Sequence, residues 1–561
     1  MAKKNLTIKT ELYKATQSSP EIVQNHIKEL QTQIENLAEI GYNLGATKEL
    51  PKLLNTIMME SMRLTNCDAG TLYLRSEDDR LRFEIMKTNS MGVDWGGISD
   101  KPMPDFIYPV KLYLPDGTPN HHMIAAYVGL TGETVNLEDA YESKEFDFSG
   151  TKAFDEKNGY RSKSFLTIPM RNHENDIIGV LQLLNAQKPH SHEIISFDFE
   201  KQKIIESLAS QAAVAITNMR LVADLENLLE SFIQLIADAI DKKSEYTGGH
   251  CARVPTIAKM LAVEVHKSKD KPFENIEFSD EDMRELHIAS WLHDIGKITT
   301  PEYVVDKSTK LETIYDRINE AQMRFEVLKR DLEIEFLKKK LVLKDKPSSQ
   351  LQALEKWYKT ALAAIEDDWD FIKITNTGGE FMSVDKQQRV DTIALRQIIW
   401  DGKTRSILDE EWVSNLKIAK GTLNPVERKK IEEHISVTID MLEKLPFPKN
   451  LRRVPEFAGG HHETMIGTGY PRGLKKEDMS IQARIMGIAD IFEALTAADR
   501  PYKKGKTLSE AIRIMGFFQK DQHIDDELFK VFLKSGIHEQ YANEYLAENQ
   551  IDTVDIAPYL N

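Results

Sequence analysis

Residues 279–297 read SDEDMRELHIASWLHDIGK, and the pair His293-Asp294 near the end of this stretch decides how the second half of the chain is read. Ser279 and Asp282 stand in capping-box spacing, and Gly296 is placed to close the helix they open. His293 and Asp294 then fall in its last turn. Neighbours on a helix point about 100° apart, so the pair can approach a shared site from one corner, with the carboxylate bridging. Alone, a His-Asp pair is an ordinary surface accident. Its company changes that.

Four further clusters carry ligand-type side chains: His250 in YTGGHCARV, His434 in GTLNPVERKKIEEH, His461-His462 in GGHHETMIGTGYP, and Asp490 in RIMGIADIFEAL. Asn424, Pro425 and Glu427 read as N-cap, N1 and N3 of a helix that carries His434 in its third turn. His461 and His462 precede a glycine-rich loop, which suits a metal with an open substrate face. Asp490 lies among the core-like Ile485, Ile488, Ala489 and Phe492, where an unpaired carboxylate would be costly to bury. Metal ligation or a salt bridge would remove that cost, and metal is the reading preferred here. Five imidazoles and two carboxylates suffice for a two-metal cage, a mixture that borderline transition metals accept. Such sites serve phosphodiester cleavage, so a metallo-phosphohydrolase is expected.

At 561 residues the chain exceeds one core, and roughly two to four domains are expected. A net charge of −16 argues against a nucleic-acid polymer as partner, which would need a basic stripe. A small anion gripped by a few local cations remains compatible. Cys67 and Cys251 form no disulfide framework or CxxC cluster. The start, MAKKNLTIKTELYK, has no apolar core of a signal peptide, and no stretch approaches the ~18–20 apolar residues of a membrane span. A cytoplasmic protein without membrane attachment is the expectation.

Periodicity divides the chain. Residues 1–34 read as an N-terminal helical segment with Ile22, His26, Leu30 and Ile34 on one face. Residues 35–222 read as an α+β domain with strand-like runs at 69–76, 81–88, 164–170 and 177–186. A connecting helix is expected over 223–245, continuing an apolar stripe of Ile204, Leu208, Ala212, Ala215, Met219, Val222, Leu225 and Leu229. That stripe suits a stiff dimeric lever or a helix packed on its own domain. The rest is predominantly helical: 246–311, an insertion over 312–420, and 421–561. The insertion reads as an accessory helical hairpin broken at KDKPSSQ.

CDAGTLYL, VNLEDAY, YRSKSFLTIPM and DIIGVLQLLNA, in this order, resemble a GAF domain, a family that binds small molecules or dimerises. The cyclic-nucleotide-binding kind carries Asn-Lys, whereas here Ala186 follows Asn185. The set YTGGHCARV, HDIGK, GTLNPVERKKIEEH, HHETMIGTGYP and IADIFEALTAADRPYK resembles the HD-GYP phosphodiesterases over 240–310 and 420–535. That resemblance implies an all-α HD-superfamily domain with a helical insertion, cleaving cyclic di-GMP to pGpG or GMP. A hybrid substrate such as 3′,3′-cGAMP is the alternative, as is an idle cyclic-di-GMP receptor. It implies metal-ligand roles for His250, His293, Asp294, His434, His461, His462 and Asp490, with iron or manganese bound and Asp294 bridging. Asp294 and Lys297 are the implied catalytic residues. Lys297, Tyr470, Pro471, Arg500 and Lys503 are the implied substrate contacts. Members with three metals carry a glutamate where Tyr246 stands here, Glu245 being one residue off, so two metals are expected. The implied partners are the cyclic dinucleotide, a small GAF ligand, a second copy of the chain, and a GGDEF-domain protein at the GYP loop.

Overall fold

The computed structural model describes residues 28, 35, 38–43, 45–47, 49–243, 249–269, 271–344, 347–379, 381–498 and 505–560. The expected N-terminal face of Ile22, His26, Leu30 and Ile34 lies outside them, as do Glu245, Tyr246, Arg500 and Lys503. The chain forms two compact units that divide between Asn227 and Leu228.

In the first unit, helix α1 (Leu50–Thr65) leads into strands β1 (Cys67–Arg75), β2 (Arg80–Thr88), β3 (Val93–Gly96) and β4 (Val110–Lys111). Helix α2 (Ile124–Thr131), β5 (Val135–Leu137), α3 (Ser149–Asn158), β6 (Phe165–Arg171), β7 (Ile177–Gln187) and β8 (Ile194–Ile195) follow. Every pairing is antiparallel, in the order β3-β2-β1-β7-β6-β5, with β4 beside β2 and β8 beside β7. Alternation along β1 explains the layers. Leu72 and Leu74 pack with Leu53, Ile57 and Met58 of α1, whereas Tyr73 packs on the other face with Ala125 and Val128 of α2.

Helix α4 runs unbroken over Phe199–Lys243. The expected single stripe separates along it. Leu208 and Ala212 are buried in the first unit's core, Leu229 packs in the second unit's core, and Val222 and Leu225 are 56% and 64% exposed. A different row, Leu221, Leu225, Leu228, Phe232 and Leu235, stands exposed at four- and three-residue spacing.

The second unit is predominantly helical and holds two hydrophobic cores, one of them within the insertion. Helix α5 (His250–Lys267) and α6 (Asp280–Leu292) are followed by a 3-10 segment (Ile295–Thr299) and α7 (Glu302–Val305). The insertion then forms α8 (Ile318–Val342), α9 (Ser348–Asn376), α10 (Val384–Ala394), β9 (Gln397–Trp400), β10 (Lys403–Ser406) and α11 (Glu410–Leu416). It holds its own core, including Phe325, Ile372, Val390, Ile407 and Trp412, and is more than a helical hairpin. Asp401-Gly402 between β9 and β10, at φ 53° and 68°, makes the two-residue turn that a tight β-hairpin requires. Beyond lie α12 (Pro425–Glu443), α13 (Val454–Gly459), α14 (Ile481–Thr496), α15 (Leu508–Lys520), α16 (Asp526–Lys534) and α17 (Ile537–Tyr545). Helix α14 buries Ile485, Met486, Ile488, Ala489 and Phe492 in the core outside the insertion. Among the described residues no helix is long and apolar enough to cross a membrane.

Candidate metal centre

Local chemistry sets the helices that deliver the side chains. Ser279 and Asp282 form the expected capping box on α6, and Asn424 with Glu427 forms another on α12. Helix α6 ends at Leu292, however, so His293 is its C-cap and Asp294 opens the 3-10 segment. Gly296 does not close α6. It lies where α12 crosses, and a Cβ there would sit 1.9 Å from the His434 carbonyl oxygen. Glycine permits that contact.

All seven ligand-type side chains converge. His434, His461 and His462 form one group, His250, His293 and Asp490 a second, and His293, Asp294 and His461 a third; within each the donor atoms lie within 4.8 Å of one another. Asp294 faces two ways: Oδ1 is 3.1 Å from His434 Nε2, whereas Oδ2 is 3.3 Å from His293 Nε2 and 3.4 Å from His250 Nε2. Asp490 Oδ1 is 3.3 Å from His250 Nε2.

Three of the imidazoles are oriented by their own chain. Nδ1 of His293 donates to the Ser290 carbonyl at 2.7 Å, that of His461 to Ala458 at 2.6 Å, and that of His434 to Ile431. A carbonyl only accepts, so Nδ1 carries a proton and Nε2 is the atom aimed into the site, a donor to a metal wherever it holds no second proton. His250 uses a side chain instead. Its Nδ1 pairs with Glu493, whose other oxygen accepts from Arg253 Nε at 2.6 Å. Glu493 and Arg253 are supporting residues that the motif reading misses. The available signal is spacing, since each lies three residues beyond a ligand-type side chain on the same helix.

The electrostatics divide the site. Burial opposes protonation of His250 and His293, yet the carboxylates beside them prevail. Asp294, Asp490 and Glu493 hold His250 well above the imidazole range, and Asp294 with Asp490 raises His293 to about 9. Burial pushes His461 well below that range, helped by His462 and His293, and lowers His462 to about 4. Asp294 and Asp490 sit well below the carboxylate range despite burial, because cationic partners surround them. Lys297 Nζ is 2.5 Å from Asp294 Oδ2.

Whether a metal suits this set is decided by atoms left over. His434 Nε2, His461 Nε2 and Asp294 Oδ1 are buried without a hydrogen-bond partner among the described residues. The 3.1 Å between His434 Nε2 and Asp294 Oδ1 lacks hydrogen-bond alignment. Unpaired buried polar atoms are costly, and nitrogen and oxygen lone pairs directed at common points are what a borderline transition metal takes. The residues fit metal ions.

The rim is built by the loop after His462. Tyr470 stacks on His462 with ring centroids 4.9 Å apart, and burial raises its phenol. Glu463, 3% exposed, accepts the amides of Arg472 at 2.8 Å and Leu474 at 2.9 Å, and so pins both strands of that loop.

A family model for the HD domain matches residues 411–528, and one for the GAF domain matches residues 49–216. The chain carries a GAF domain and an HD domain. The HD match begins within α11, so His250, His293 and Asp294 precede it, and the fold is what unites them with the rest. The chain is 39% identical over 126 residues to the 3′3′-cGAMP-specific phosphodiesterase 3 of Vibrio cholerae, covering 22% of this chain and 26% of that protein. It is 45% identical over 75 residues to a cyclic di-GMP phosphodiesterase of Pseudomonas aeruginosa, covering 13% and 17%. With the cyclic di-GMP phosphodiesterase of Thermotoga maritima it shares 33% over 133 residues, covering 24% and 35%. The chain thus spans about a third or less of the length of these relatives. Among solved structures, the GAF domain/HD domain protein from Geobacter sulfurreducens matches at 16% identity and a TM-score of 0.23, covering 32% of this chain and 98% of that one.

In the GAF domain, a cleft of about 760 Å³ is lined by Trp95, Phe106, Lys157 and Tyr160 among others. Asn185 is committed to structure there, donating to Tyr160 Oη at 2.9 Å and to the Arg161 carbonyl at 2.8 Å while accepting the Lys163 amide at 2.8 Å.

Proposed function

We propose that the HD domain is a metal-dependent phosphodiesterase that opens cyclic dinucleotides, with cyclic di-GMP, cleaved to pGpG or GMP, as the first candidate. The observation that carries this reading is the convergence of His250, His293, Asp294, His434, His461, His462 and Asp490, with lone pairs left unsatisfied in its interior. These seven would hold two divalent ions, iron or manganese. Bound, the ions would supply Lewis-acid polarisation of the phosphodiester and a lowered pKa for the attacking water.

The chain's own residues do the remaining work. The carbonyl-bound imidazoles keep their Nε2 atoms fixed, which limits reorganisation during reaction. Asp294 would bridge, with one oxygen toward each side of the site. Lys297 stays protonated beside it, since Asp294 and Asp490 raise its ammonium against the opposing effect of burial. It would offset charge on the phosphate or its leaving oxygen. Tyr470 and Pro471 would line the substrate face, with Arg500 and Lys503 gripping phosphates.

A 3′,3′-cGAMP preference is the second reading, favoured by the 39% match to a protein named for that substrate. The GAF cleft would take a small regulatory ligand, and the exposed row from Leu221 to Leu235 supports a homodimer joined along α4. A cytoplasmic setting and a GGDEF-domain partner complete the reading. The test is anaerobic purification, a metal count, and product analysis from cyclic di-GMP and 3′,3′-cGAMP side by side. Linear products with about two metals per chain support it. Metal-bound protein inert on both, with and without candidate GAF ligands, refutes the enzyme.

A further inference from the structure

The last turn of α4 is hydrogen bonded to the backbone that carries three of the site's functional side chains, His250, Asp294 and Lys297. Lys243 Nζ donates to the carbonyls of Lys297 at 3.1 Å, Thr300 at 2.8 Å, and Ile298. An ammonium has three protons, and these acceptors use all three. The acceptors lie at the end of the 3-10 segment that Asp294 opens and that carries Lys297. Two residues earlier, Asp241 Oδ2 accepts the amides of Gly249 at 3.1 Å and Cys251 at 3.2 Å, the two neighbours of His250. Residues two apart on a helix point to nearly opposite sides, so this one turn reaches the start of α5 and the His293-Asp294 corner at once.

The turn is not a loose end. Ile233, Ala237 and Ile240 are buried beneath it, and Glu230 pairs with Arg284 of α6 at 3.1 Å. A cavity of about 10 Å³, roughly the least that admits one water, lies between this turn and the site, lined by Ile240, Asp241, Lys243, His250, Asp294 and Lys297 among others.

We propose that Lys243 is a positioning residue for the phosphodiesterase centre, holding the segment 294–300 so that Asp294 and Lys297 keep their places, with Asp241 doing the same for His250. The inference rests on the reading given under Proposed function. No motif contains either residue, and each acts through backbone rather than by touching substrate. The position of a single helical turn thereby sets the spacing between two walls of the metal centre.

The test uses the full chain with Lys243→Met, which keeps length and removes the donors, and Lys243→Arg, which keeps them. Amide exchange over 295–300, manganese affinity by chelator competition, and kcat and KM on the preferred cyclic dinucleotide are measured. Lys243→Met is expected to speed exchange and to weaken manganese binding and kcat about tenfold, as supporting partners of metal ligands do, with KM nearly unchanged. Lys243→Arg should restore most of each. Unchanged exchange and affinity in Lys243→Met, or equal loss in both variants, overturns the proposal. If Lys243→Met does not fold, Asp241→Asn carries the same test over 249–251, and unchanged values there overturn it equally. Exchange and metal binding need no turnover, so an inactive wild type would refute the enzyme while these measurements still decide the tether.

Discussion

Asp294 Oδ1 lies 3.1 Å from His434 Nε2 across the base of the insertion, while the other oxygen of the same carboxylate faces His293 and His250. One side chain thus joins both halves of the site. Asp294→Asn keeps the shape and removes the charge. It is expected to lower metal retention and turnover by at least about 100-fold, with the helical circular dichroism preserved. Full turnover would refute the bridging role proposed for Asp294.

Gly296 supports the same junction through space. A Cβ there would meet the His434 carbonyl oxygen at 1.9 Å and the Thr438 amide nitrogen at 2.7 Å, both backbone atoms. Gly296→Ala must therefore push α12 away, at a cost of about 1–3 kcal/mol as for other overpacked sites. Thermal melting should show that loss, and chelator competition should show weakened metal binding because His434 moves with its helix.

Glu463 tests the rim. Its carboxylate accepts the amides of Arg472 and Leu474, and Gln has only one oxygen to offer in its place. Glu463→Gln is expected to cost about 1.5–3 kcal/mol, the range for hydrogen bonds to a charged group. It should also raise KM more than it lowers kcat, since the loop carries Tyr470 rather than a metal-facing donor. Steady-state kinetics beside a urea melt separates the two effects. An unchanged KM would mean the loop is held by other contacts.

Lys310 makes stability depend on pH. The residue is 1% exposed and its ammonium donates to the carbonyls of Leu416 and Ile418, tying the two ends of the insertion together. Burial, with a smaller effect of Lys386, lowers its pKa from 10.5 to about 8. The unfolded chain then binds more protons between about pH 8 and 10.5, so this group's contribution to stability rises with pH across that window. Urea unfolding at several pH values should show a slope that Lys310→Met removes. An identical slope in the variant would locate the dependence elsewhere.

Local signals were the legible ones. Ser279 with Asp282 and Asn424 with Glu427 announce their helices because a cap is made within four residues. The ligand-type residues were legible as a set through their motifs. His434 alone would pass for an ordinary helical histidine. Glu493, Arg253 and the carbonyls of Ser290, Ile431 and Ala458 were not read, because their roles follow from which helices meet. The expected stripe on α4 failed for a related reason. A long helix can change the face it buries along its length, and periodicity does not say which neighbour receives each turn. The insertion's β-hairpin was missed although Asp401-Gly402 marks it, since its strands are only four residues each.

The seven side chains enter from five separate stretches of chain, and a body with its own hydrophobic core stands between Asp294 and His434. An unfolded chain cannot present all of them together, so the free energy of filling the site is also free energy of folding. The ions would then be cross-links as much as reagents. Metal scarcity would shorten the lifetime of the protein through proteolysis of its opened form, lowering abundance along with activity.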